Sequence, residues 1–162
     1  MDGYPSVSGV GLEHGPVCDV VLGSQLLQSP AAGADFTYTV PDVGSVYEVV
    51  AIRARLVTSA TVANRLVHCV VKDAAGNEVY RVGIDLAITA GLTTIFTFSE
   101  AIASIVGGHT NNNDIGYPLP SGPYLPRWTI GSITTAIDTT DQWSQISIWY
   151  KQLALGYPPS AS

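Results

Sequence analysis

The sequence predicts an all-β fold, a single antiparallel β-sandwich of the jelly-roll kind with about eight strands over residues 17–153. Three observations predict it. Apolar residues recur at every second position over short runs, the signature of strands with one buried face. Clusters of Gly, Pro, Asn and Asp separate the runs. The only helix-like stretch, SEAIASIVGG at 99–108, suffices for one or two turns before Gly107 stops it. A chain of 162 residues is most simply one domain, able to bury roughly 70% of the surface its unfolded form exposes.

The elements follow in order. Residues 1–16 hold Gly3, Pro5, Gly9, Gly11, Gly15 and Pro16 with isolated apolar residues between them, which predicts an extended arm. A first strand falls near 17–27. DFTYTV (35–40) alternates Phe36, Tyr38 and Val40 with polar residues. SVYEVVAIRARLV (45–57) is expected to place Val46, Val50, Ile52, Ala54 and Leu56 on one face and Tyr47, Val49, Arg53 and Arg55 on the other. RLVHCVVK (65–72) groups Val67, Cys69 and Val71, and DAAGN (73–77) is a hairpin turn into EVYRVGIDLAI (78–88). TTIFTF (93–98), RWTIGSITTAI (127–137) and WSQISIWYKQL (143–153) complete the set. Residues 99–126 form the longest stretch without a strand signal, the kind of segment that is functional or covered by a partner. Residues 154–162, with Pro158 and Pro159, form an extended tail. No internal repeat is visible, which removes solenoids and propellers.

Charged residues make up 12% of the chain, about half the share usual in soluble domains, and mean hydropathy is +0.26. Such a surface is built from Thr, Ser, Asn and Gln or is covered by partners. Net charge is −6 with no Lys/Arg cluster, so neither nucleic acid nor an anionic membrane is expected as a partner. No apolar run reaches bilayer length. The first 15 residues carry an acid where a signal peptide carries bases, and synthesis in a cytoplasm is expected. In that compartment Cys18 and Cys69 are expected as free, buried thiols, and their spacing suits no zinc site.

Chemistry finds little support. His14 lies in the arm, His68 on the outward side of a strand and His109 in the long loop, with no GxSxG nucleophile turn. The acids are scattered; Glu48 sits mid-strand and is expected to pair with an arginine such as Arg53 or Arg65. HTNNNDIG (109–116) lacks the spacing of acids that a calcium loop needs, and Asn-rich runs favour plain turns. No catalytic residue, cofactor or metal is therefore expected. Trp128, Trp143 and Trp149 leave one alternative: Trp143 and Trp149 share a strand parity and would present a stacking face to sugars, unless the rings fill the core or a subunit contact.

Three segments, TSATVANR (58–65), LPSGPYLP (119–126) and DQWS (141–144), together resemble a pattern of small virion-associated proteins of tailed bacteriophages that decorate the capsid exterior. The resemblance covers about residues 34–153, with one departure: Arg127 precedes Trp128 where a small residue or glycine is expected. It implies a structural protein on the outside of the head that bridges major capsid subunits, as a homotrimer at local threefold positions. A tail or fibre component that binds a receptor glycan is the alternative. Asn64, Arg65, Asp141 and Trp143 are then structural, with Asn64 bending the 58–64 loop and Arg65 anchoring it to a neighbouring strand or carboxylate. Tyr4, Pro5, Val10 and Leu12 of the arm and Tyr157, Pro158 and Pro159 of the tail are the expected contacts with the shell.

Overall fold

The computed structural model describes residues 20–83, 87–101 and 113–154. Among the described residues nine strands run in chain order: β1 (Val20–Leu27), β2 (Thr37–Thr39), β3 (Ser45–Val57), β4 (Val67–Lys72), β5 (Glu78–Gly83), β6 (Thr93–Ser99), β7 (Asn113–Pro118), β8 (Thr129–Thr134) and β9 (Gln142–Ala154). They form a five-stranded sheet in the order β1-β9-β3-β6-β7 and a four-stranded sheet in the order β2-β8-β4-β5. With β7 set aside, the eight remaining strands pair as first–eighth–third–sixth and second–seventh–fourth–fifth. That interleaving is the jelly roll.

Segment 99–126, expected to lack strands, contributes β7. It adds to the edge of β6 in parallel, Thr94 opposite Asn113 through Ser99 opposite Pro118, so the larger sheet is mixed. The helical turns expected at 99–108 fall largely outside the described residues, as do the arm at 1–16, the tail from 155 onward, Cys18, His14 and His109.

Both sheets bury one face in a shared core. β3 and β9 supply Tyr47, Val49, Ile52, Ala54, Leu56, Trp143, Ile146 and Ile148; the opposite sheet supplies Tyr38, Val67, Cys69, Val71 and Ile130. Trp143 sits at the centre, its ring 5.2 Å from Phe36 edge-on and 5.4 Å from Phe96. Phe96, Phe98 and Tyr117 stack nearly parallel beside it.

Two bulges correct the expected facing. On β3, Val49 opposes Tyr150 and Ala51 opposes Trp149, leaving Val50 extra. Tyr47 and Val49, expected outside, therefore join Ile52, Ala54 and Leu56 inside, while Val46 and Val50 are only half-buried. On β9, Arg55 opposes Ser144 and Arg53 opposes Ser147, so Gln145 and Ile146 share one partner, and Gln145 takes φ 49°. This separates the two tryptophans: Trp143 is buried and Trp149 is 41% exposed.

The hairpin at 73–77 forms as expected. Asp73 caps it, accepting from the amides of Ala75 and Asn77, and Gly76 occupies φ 88°, where a side chain would be strained.

Candidate functional surface

The resemblance motifs converge on the interior. Arg65 and Asp141 are both fully buried, with Nε donating to Oδ2 at 2.6 Å. The Arg65 guanidinium also donates to Ser59 Oγ and to the carbonyls of Thr61 and Ala63. Asp141 accepts from the amides of Ser59 and Asp138 as well. Its own carbonyl accepts from Gly33, which has φ 76° and lies so close to Thr139 that a Cβ would stand 2.7 Å from that backbone. One ion pair thus binds the 58–65 loop, the 138–141 turn and the 31–33 turn into a unit. Burial pushes the Asp141 carboxyl up, but the Arg65 side chain, the Ser59 and Asp138 amides and the arginine charge outweigh it, and the group lies below the ordinary carboxylate range.

Asn64 does not do what was expected of it. It is exposed and outside the left-handed region, so the bend of the loop is held by the Arg65 hydrogen bonds instead. Thr58 adds an anchor: its hydroxyl donates to the carbonyl of Thr89 and accepts from the amide of Leu92. The loop lifts Val62 to its tip, 92% exposed.

The LPSGPYLP segment plugs one side of the sandwich. Tyr124 exchanges backbone hydrogen bonds with Tyr47 and its hydroxyl donates to the Pro120 carbonyl. Arg127, where a small residue or glycine was expected, occupies φ 66° and pairs with Asp42 at the surface.

The chemistry-bearing groups lie apart. Glu48 pairs with Lys151 at 3.0 Å rather than with Arg53 or Arg65, because Lys151 faces it across β3 and β9 and Arg65 is engaged elsewhere. Nearby, burial and then Glu48 raise the Glu100 carboxyl. Cys69 is buried and free, its thiol pushed up to about 12 by burial and so protonated at neutral pH. A second polar group, Asp35 with Ser132 and Thr134, satisfies buried hydroxyls at the β2–β8 edge. Among the described residues no group of three or more His, Cys, Asp or Glu side chains is placed to hold a metal ion.

The outer face of the larger sheet is what remains displayed. Residues directly opposite each other in an antiparallel pair share a face. Ser24 is opposite exposed Trp149, so Leu22, Ser24 and Leu26 point outward with it, while Leu27, opposite Ile146, packs on the core. Leu22 is 75% and Leu26 76% exposed. Further along the same face a shallow recess of about 190 Å³ is lined by Arg53, Arg55, Ile95, Gln145 and Ser147. Four of the seven Lys and Arg residues form ion pairs among the described residues, and Arg53 and Arg55 are not among them.

No family model and no curated protein sequence matches the chain. Among solved structures, a chain of "Structure of infectious bursal disease virus Gx strain" is similar over 91% of this chain at 13% sequence identity, with a TM-score of 0.27. The match spans 44% of that viral chain, less than half its length. The jelly-roll assignment rests on the strand order, not on this likeness.

Proposed function

We propose that the protein is a structural component of a phage virion, bound to the outside of the head, where it bridges and stabilises neighbouring major capsid subunits. The observation that carries this reading is the set of exposed apolar side chains, Leu22, Leu26 and Trp149, on one face of a braced sandwich. Exposed leucines and a tryptophan grouped on one sheet face are what a protein acting through contact presents. The family resemblance supports the reading from another side: its residues Arg65, Asp141, Trp143 and Tyr124 brace the scaffold. Modest contacts repeated over a shell would add up through avidity. Quantitative protein analysis and imaging of purified virions test it. High copy number on the head exterior is expected; absence, or a few copies confined to the tail, would overturn it.

A second reading has its own observation. Trp149 stands out on a face that also carries Arg53 and Arg55, an arrangement suited to stacking on a sugar ring. Under that reading the protein is a tail or fibre component. Binding to a glycan array that disappears in Trp149→Ala would favour it, and a blank array would remove it.

A further inference from the structure

Among the described residues the two sheets end on four edge strands, and three of these are protected. β2 is only three residues long. β5 carries the exposed Glu78–Arg81 ion pair and a bulge at Val79. β7 carries exposed Asp114, ends on Pro118 and lies close to β5. Short length, charge, proline and bulges are the devices that stop an edge from pairing with another chain. β1 has none of them. Its sequence, VVLGSQLL, runs eight residues without a charge or a proline, its register with β9 is unbroken, and no strand lies beyond it among the described residues.

We propose that β1 pairs with β1 of a second copy, antiparallel about a two-fold axis, joining the two five-stranded sheets edge to edge. The strand is self-complementary for this. With the axis beside Ser24, Leu22 of each copy stands opposite Leu26 of the other on the outer face, and Val21 opposite Leu27 on the inner face. Every residue paired across the axis is uncharged, so no like charges meet. The two exposed Trp149 rings flank the Ser24 pair, because each lies beside Ser24 in its own sheet. The pairing of Val21–Leu27 with its counterpart runs about 24 Å and buries on the order of 1,000 Å² with its flanking side chains, the low end for a specific contact. The dimer is accordingly a reversible one, with a dissociation constant on the order of 10 µM. This contact makes pairs, whereas the family resemblance implies threefold clusters.

Sedimentation equilibrium of the isolated full chain tests it, over a range of about 1–500 µM that brackets the expected constant. The mass should rise from one chain to two. Leu22→Lys with Leu26→Lys, both at exposed positions, should weaken the dimer at least about tenfold by setting lysines opposite each other. Val79→Lys on the β5 edge, also exposed, should leave it unchanged. A single-chain mass throughout, a three-chain mass, or a dimer indifferent to the double substitution overturns the proposal. Should the double variant fail to fold, amide exchange of the wild type decides. Protection of residues 20–27 should grow with protein concentration, and protection that stays constant overturns it.

Discussion

Asp141 is the residue on which the loops depend. Its carboxylate and the Arg65 guanidinium are both withdrawn from water, and each is tolerable only because the other, with the surrounding amides and carbonyls, satisfies it. Removing one partner strands the other charge. Asp141→Ala is therefore expected to cost about 3–5 kcal/mol in urea unfolding at neutral pH. The pH dependence follows from the direction of the shift. Folded Asp141 binds a proton less readily than unfolded Asp141, so acid favours the unfolded chain. Its contribution is complete above the ordinary carboxylate pKa of about 4 and is lost as pH falls through the lower folded value. Asp73 and Asp138 shift in the same direction but at the surface, where solvent weakens the effect. Stability measured from pH 6 down to pH 3 should fall less steeply in Asp141→Asn than in the wild type; equal slopes would place the acid sensitivity elsewhere.

Bulges decide the outcome at the scale of the strands. Gln145 is exposed yet held at φ 49°, a conformation costing a non-glycine residue about 1–2 kcal/mol. Gln145→Gly relieves that strain and gives back part of it in the entropy of the unfolded chain, so a net gain of about 0.5–1 kcal/mol is expected from thermal or urea unfolding. A loss would show that the side chain makes a contact the backbone strain supports. The same bulges mark where the sequence stopped being legible. Strand positions and the 73–77 hairpin could be read, because alternation and turn residues are local signals; β3 even has the expected bounds, Ser45–Val57. Facing could not, since Val50 and Gln145 look like ordinary strand residues and their partners lie on another strand. β7 was invisible for a related reason. NDIGYP is short, carries Gly and Pro, and owes its strand geometry to the edge of β6. Arg65 announced itself as a lone cation at a strand start, but nothing local named its partner 76 residues away.

Across the whole molecule, a braced interior contrasts with an outer sheet face that carries the exposed Leu22, Leu26 and Trp149. The Trp143 core, the Arg65–Asp141 pair and the Tyr124 plug hold two sheets and their loops in one arrangement. Under the proposed function, β1 and Trp149 meet a partner already ordered within the sheet, without an ordering cost at the moment of contact. The outward face was legible only in part: Trp149 was a candidate for exposure from its parity, though Trp143 was grouped with it, whereas β1 read as one more half-buried strand. Its edge position depends on a topology that no single segment encodes. The central claim is that this face works by being covered. Hydroxyl-radical footprinting, comparing the isolated chain with the chain in purified virions, tests it most directly. Leu22, Leu26 and Trp149 are expected to lose most of their labelling in the particle, while Val79 on the opposite sheet's edge keeps its own. Unchanged labelling of β1 and Trp149 in the assembled virion would contradict the account.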